Sequence, residues 1–594
     1  MAPFSSLNTI PATIAPSSFC PSLPKPSQLF INKRKNNPHV PKPSVSCQAT
    51  NGDDYNGNAT RRDVLIGLGG ISGATALSDP FAFASPIAAP ELKKCSAADL
   101  PTGARQIDCC PPIGTTIIDF KLPSNPTKLR IRPAAHAVTD EYLAKFNKAM
   151  DLMRNLPDDD PRSFKQQGAV HCAYCNGAYS QVGFPDLDLQ IHNSWLFFPF
   201  HRMYLYFYEK ILGKLIGDPT FAMPYWNWDA PVGQKMPVIY NDSSSPLYDE
   251  LRNQDHLPPT LLDLDYSSSK DPITDANTLY ASNLAIMYRQ MVSAATNNVL
   301  FFGSAYRAGD DPDPGAGSVE TTPHTQLHIW CGDTRQPNGE DMGNFYSAGY
   351  DPIFYAHHSN VDRMWNIWKD IDKKKHKDIS DTDWLDSTFL FYDENKNLVR
   401  VKVRDSLDSK KLGYDYAPVD IPWLKSKAKP KKTTKSAAMS VFGQEKSALA
   451  ATTSKTLTPL SSFPLVLEKV ISVEVPRPKK SRSSAEKEAQ EEILVINGIQ
   501  LDRGSSVKFD VFINDEDEKQ ITPDNSEFAG SYVNVPHKHK GKSTLKTSLR
   551  LAITTLLEEL DADADDNLVV TIVPRVGQGL VTIGGLKTEL IQGL

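Results

Sequence analysis

Apolar residues change their spacing along this chain. From His201 to Ile216 they recur at helical intervals, which predicts a core helix. His192 stands in a similar pattern upstream, and Pro199 predicts a break where one helix ends and the next takes a new direction. Near the C-terminus the period becomes two, in Val470–Val475, Val507–Phe512 and Leu568–Val573, as in strands of a small all-β, sandwich-like domain. Between these regimes, from about Lys425 to Lys455, the chain turns to Lys, Ser, Thr and Ala, with six lysines between Lys425 and Lys435. No aromatic residues interleave with those lysines, so a solvated, protease-accessible linker is expected rather than a nucleic-acid patch. The expected organisation is a presequence at 1–84, a mainly α domain with long loops at 85–423, a linker at 424–455 and a β domain at 456–594.

Composition narrows the partners. The 594 residues carry 64 Lys+Arg against 70 Asp+Glu, a net charge of −6, so nucleic acid is not the expected partner. No apolar run reaches the roughly 18 residues of a membrane span. Residues 1–52 hold eight Ser, no Asp or Glu, and basic residues at Lys25, Lys33, Arg34, Lys35 and Lys42. That is the composition of an organelle transit peptide. Arg61-Arg62, the weakly apolar Val64–Leu77 and Ala82-Phe83-Ala84 then read as a twin-arginine signal with a cleavage site. The series resembles a bipartite address for the thylakoid lumen of a chloroplast.

The histidines carry the chemistry. His324 and His328 sit at i and i+4, on one face of a helical turn, a spacing that suits one metal but is common on solvated helices. His357 and His358 stand among bulky apolar residues, where a buried imidazole needs a hydrogen bond or a metal. Neighbours on a helix point about 100° apart, so one of the two faces a given ion. An upstream set comprises His171, His192 and His201. Any one of these is ordinarily a core histidine; six in two aromatic-flanked sets are not. All-imidazole ligation suits Cu, Zn, Fe or Ni and disfavours Mg, Ca and Mn. One such site with an open position could be a catalytic zinc; two in one helical core point to a copper pair working with O₂.

The segments His192-x4-Phe197-Phe198-Pro199-Phe200-His201-Arg202 and Asp351-Pro352-Ile353-Phe354, running on to His358 and Asp362, resemble the two copper signatures of the tyrosinase and catechol oxidase family. Asp383-Trp384-Leu385 and Lys508-Phe509-Asp510-Val511 are similar to markers that plant polyphenol oxidases carry after that domain. The resemblance implies a four-helix-bundle core holding a type-3 dicopper centre. His171, His192 and His201 would hold the first ion and His324, His328 and His358 the second, with His357 as a neighbour. It further implies disulfides Cys95–Cys110 and Cys109–Cys172, and a thioether between Cys175 and His192. On the residues alone, Cys172-Ala173-Tyr174-Cys175 also fits half a zinc site or a redox dithiol, and Cys331 is left over as a buried thiol. Phe345 matches an aromatic gate above the second copper, and Glu320 an acid that holds a water. Asp362, one turn after His358, either orients an imidazole or pairs helices.

The implied reaction is oxidation of o-diphenols to o-quinones with O₂ reduced to water. In some family members an Asn follows the first histidine of the second site and assists monophenol hydroxylation; Thr325 stands there in this chain, which favours diphenols. A tyrosinase with substantial monophenol activity and a haemocyanin-like O₂-binding protein remain the alternatives. The partners expected are small phenols, O₂ and an activating protease that cuts the linker and frees a site covered by the C-terminal domain. The oligomeric state is left open.

Overall fold

The computed structural model describes residues 85–592 apart from 115, 125–127, 268–272, 432–455 and 539–542. All of these belong to one compact unit, Pro80–Leu594. The presequence and most of the Lys-rich linker lie outside the described residues.

Six helices frame the central part: α1 Asp140–Arg154, α2 Phe164–Cys175, α3 Phe197–Leu215, α4 Ala276–Tyr288, α5 Thr325–Cys331 and α6 Ile353–Ile371. Hydroxyl caps start two of them. Thr139 accepts from the Tyr142 N–H and Ser163 from the Gln166 N–H, each satisfying a donor that the first turn leaves open. Only one face of α1 is buried (Phe146, Ala149, Met150, Met153), whereas α3 is buried nearly all round. Rings lock the helices together. Tyr208 of α3 stacks on Tyr355 of α6 at 3.7 Å and 6°. On α2, Gly168 lies under Tyr350, where a Cβ would come within 2.7 Å of the ring. All eight tryptophans are buried, and all precede residue 424. Strands β1 Ile117–Asp119, β2 Thr388–Tyr392 and β3 Leu398–Lys402 form a small sheet with β3 in the middle.

The C-terminal part is built on strands. One sheet contains β4 Ile471–Pro476, β5 Val507–Ile513, β6 Phe528–Asn534 and β7 Asn567–Val576 in the order β6-β5-β7-β4, all neighbours antiparallel. A second sheet is built around Glu491–Asp502. Its own core takes Val473, Val475, Leu494, Phe509, Val511, Val570 and Ile572. Side chains alternate across a strand, so β5 sends Phe509 and Val511 into that core and Lys508 and Asp510 to the opposite face. The central part covers this face: the Lys508 ammonium donates to Asp265 Oδ1 at 2.7 Å. Arg289, after α4, donates to the carbonyls of Pro523 at 3.1 Å and Asn525 at 3.3 Å.

At the start of the Lys-rich run the side chains of Lys425, Lys427, Lys429 and Lys431 are exposed, while the backbone is tied to the β domain. The Lys429 N–H donates to the Asp524 carbonyl at 3.1 Å and the Lys431 N–H to Glu527 Oε1 at 2.9 Å. Extended backbone next to a sheet domain finds partners there whatever its side chains carry.

Candidate metal centre

Two groups of imidazoles meet between α2, α3, α5 and α6. The first joins His171 of α2, His192 and His201 of α3, with ring centroids 5.1–5.8 Å apart. The second joins His324, His328 of α5, and His357 and His358 of α6. Within each group the candidate ligand atoms all lie within 4.8 Å of one another, and every ring is buried. The groups face each other, with His201 stacked on His358 at 4.1 Å and 15°.

His192 is not helical, contrary to the sequence pattern. Gln190 Oε1 accepts from the backbone N–H of Ile191 and of His192, and Asn193 is left-handed at φ 53°, which a right-handed helix does not accommodate. Pro199 therefore breaks nothing. It is the third residue of α3, where no intrahelical N–H is required.

Backbone carbonyls set the rings. The Nδ1 atoms of His171, His201, His324 and His328 lie at 2.8, 2.8, 3.2 and 2.8 Å from the carbonyls of Phe345, Phe197, Glu320 and Met342. A carbonyl only accepts, so Nδ1 carries the proton and Nε2 keeps its lone pair. The Nε2 atoms of His171, His192, His201 and His324 are buried without a hydrogen-bond partner. Each such orphan costs about 1–3 kcal/mol, a strain that a bound cation removes. His328 and His358 point Nε2 at Nε2 across 3.3 Å, the spacing of two imidazoles that share one ion at about 2.0–2.1 Å. Burial lowers the pKa of every ring, to about 3 for His171 and about 4 for His328, and neighbouring imidazoles reinforce it at all but His328, which keeps them in the neutral, ligating form. Neither group includes a carboxylate. The donor set fits two copper ions.

The common central domain of tyrosinase matches residues 161–371, the polyphenol oxidase middle domain 378–429, and the chloroplastic polyphenol oxidase C-terminal domain 463–590. A chloroplastic polyphenol oxidase of Malus domestica is 58% identical over 96% of this chain and 94% of its own length. One from Vitis vinifera is 55% identical over 92% of each. The chain belongs to the plant polyphenol oxidases. These are copper oxidoreductases of the tyrosinase family. Among solved structures, latent apple tyrosinase shares 60% identity at a TM-score of 0.75, covering 80% of this chain and all of that one. Latent aurone synthase shares 43% at 0.78, covering 86% and 100%.

Around the histidines, the polyphenol oxidase places some residues where the resemblance implied and others elsewhere. Phe345 lies over the first group rather than the second: its ring stacks on His192 at 4.2 Å and 25°. The cause is its own carbonyl, which His171 holds. Asp362 touches no imidazole. Its carboxylate takes Arg132, Arg202 and the hydroxyls of Tyr414 and Tyr416, so it pairs elements of the core. Glu320 accepts the Asn193 N–H on Oε1 at 2.6 Å and keeps Oε2 buried without a partner; burial raises its pKa well above the carboxylate range. Thr325 donates its hydroxyl to the Glu320 carbonyl at 2.8 Å. His357 stacks on His324 at 5.3 Å and 16°. Cys95 is bonded to Cys110 and Cys109 to Cys172, while Cys175 and Cys331 are buried thiols.

Three contributors were missed: Asn193, Asp313 and His537. His537, from the C-terminal part, stacks on Phe345 at 4.9 Å and 24°. The Phe345 N–H points at the Pro536 carbonyl at 3.4 Å, and Val535 joins the central core. A lone histidine after a strand carries no spacing signal. The left-handed turn at Asp313 is hinted at by its setting between Pro312 and Pro314.

Proposed function

We propose that this polyphenol oxidase oxidises o-diphenols to o-quinones at two copper ions, and that its C-terminal domain keeps it latent. The facing histidine groups, with buried Nε2 atoms lacking partners, carry the reading. His171, His192 and His201 would hold one ion, and His324, His328 and His358 the other. His358 is preferred over His357 because its Nε2 is the one that meets His328. Bound there, the copper pair supplies two-electron exchange, so that two o-diphenols reduce one O₂ to two waters.

The chain contributes orientation, access and proton handling. Carbonyl-anchored Nδ1–H groups hold the rings without rearrangement. A four-helix bundle of α2, α3, α5 and α6 would be their frame. Cys175 joined to His192 by a thioether would restrain that ring further. Phe345 offers a flat face at the entrance and narrows it. Glu320, with high proton affinity and an uncommitted Oε2, is suited to hold a water or receive a phenolic proton. Thr325 spends its hydroxyl on the Glu320 carbonyl, which favours diphenols over monophenols. His537 stacked on Phe345 supports latency, with cutting expected in the linker at 424–455.

Residues 1–84 are proposed as the address, as the chloroplastic relatives suggest, with the thylakoid lumen as destination. Residues 85–423 would be the catalytic domain, 424–455 the linker and 456–594 the shield. An oxygen electrode tests the reading. Copper-loaded protein should consume O₂ with 4-methylcatechol, faster after linker cutting, and far more slowly with tyramine. Absence of uptake overturns the enzyme reading. Equal rates with tyramine overturn the diphenol preference, and no gain on cutting overturns latency.

A further inference from the structure

The C-terminal domain brings two groups to the entrance: an aromatic ring and a cation. His537 stacks on Phe345 at 4.9 Å, and Phe345 stacks in turn on His192 at 4.2 Å. Beside it, Arg503 Nη1 lies 3.4 Å from His537 Nε2 and pairs with Asp313 Oδ2. His537 Nε2 itself is 4.0 Å from that oxygen. Asp313 belongs to the central domain and is fully buried in this arrangement. Its other oxygen accepts from Asn193 Nδ2 at 3.0 Å, one residue from His192.

Both members of that pair are left-handed, Asn193 at φ 53° and Asp313 at φ 64°. Non-glycine residues rarely adopt this conformation, and its cost is sustained where the surroundings over-determine it. The Asn193 backbone is held by Glu320 and by Gly315, whose N–H donates to the Asn193 carbonyl at 2.8 Å. Asp313 is flanked by two prolines. The carboxylate is therefore held rigidly beside His537 and the residue that follows His192.

We propose that Asp313 is a specificity residue, and that the opened site prefers o-diphenols bearing a cationic alkylamine side chain. Displacing the C-terminal domain removes Arg503 from Asp313 and the His537 ring from Phe345. A catechol ring with an ammonium group two carbons away presents the same ring and cation together. An anionic phenol of the same size brings its charge to a carboxylate instead. This inference rests on the dicopper reading and on displacement of the C-terminal domain.

The test uses the copper-loaded full chain cut in the Lys-rich linker. Dopamine, 4-methylcatechol and 3,4-dihydroxyphenylpropionate are compared as substrates. The expected kcat/KM order is cation, neutral, anion, with about tenfold between the ends at low ionic strength, shrinking as salt screens the charge. Asp313→Asn should lower the dopamine to 4-methylcatechol ratio severalfold. In the unsubstituted protein, 2-phenylethylamine should inhibit 4-methylcatechol oxidation more tightly than 3-phenylpropionate, which decides the matter even if the variant fails to fold. Equal kcat/KM values with equal inhibition overturn the role of Asp313 and leave the copper reading standing. Oxidation of none of the three catechols overturns the copper reading, and this inference with it.

Discussion

Removing the Asp362 carboxylate should destabilise the central domain more than most single changes. Asp362 is 3% exposed and sits one turn after His358 on α6. It accepts from Arg132 Nη1 at 3.2 Å, from the Tyr414 hydroxyl at 2.6 Å, and from Arg202 and Tyr416. In Asp362→Ala, Arg132 still has Glu209 at 2.8 Å. Arg202 retains the neutral acceptors Ser406 O at 3.0 Å and Asn366 Oδ1 at 2.8 Å, and the Trp365 ring at 3.8 Å. A buried guanidinium so left without its anion costs about 3–5 kcal/mol. By contrast, Asp119→Ala breaks the exposed pair with Arg400 and should cost about 0–1 kcal/mol. Because every tryptophan lies in the central domain, denaturant unfolding followed by tryptophan fluorescence reads this domain alone. The pH dependence has a definite sign. Burial pushes the Asp362 pKa up, but Arg202 and Arg132 outweigh it and hold the carboxyl below its ordinary value. Its contribution is therefore present above the unfolded pKa of about 3.9 and is lost as pH falls through the lower folded value. Asp362→Asn should flatten that acid limb. A loss below about 1 kcal/mol in Asp362→Ala would refute the argument that this carboxylate is the hub of the charge network.

Three further outcomes are expected. Cys109→Ala opens a loop of sequence separation 63 and should lower stability by about 4 kcal/mol by chain entropy; an unchanged denaturation midpoint would contradict this. His324→Ala should lower copper, measured by elemental analysis, from two ions to about one per chain, and full retention would remove His324 from the ligand set. Burial, with Asp351 and Glu340 nearby and Arg105 opposing, raises the Asp341 carboxyl to about 7. Its contribution to stability is present below the unfolded value and lost as pH rises through about 7, so Asp341→Asn should reduce the fall in stability between pH 4 and 8, and an unchanged slope would count against it.

Much of the site is local chemistry, and local chemistry is visible in spacing. His324 and His328 are one helical turn apart and so share a face, and His357 and His358 lie in an apolar stretch that buries them. Strand periodicity likewise separates Phe509 and Val511 from Lys508 and Asp510. Other features were misread because a distant partner decides them. Helical spacing around His192 was overruled by the Gln190 side chain and by the left-handed Asn193, which Glu320 holds from 127 residues away. Asp362 had a histidine one turn away in sequence, yet Arg132 and Arg202, 230 and 160 positions off, claim its oxygens.

By itself, then, the sequence determined the change from a helical to a strand-built region and the short-range histidine spacings, because these depend on spacing and side-chain chemistry within a few turns. Tertiary structure alone decided that Phe345 belongs over His192, that His537 covers it, and that Arg503 meets Asp313. Those contacts join residues more than 150 positions apart, 190 in the case of Arg503 and Asp313. Pairings across such distances are chosen by the whole packed chain, which brings partners to each buried charge and ring and excludes water from them.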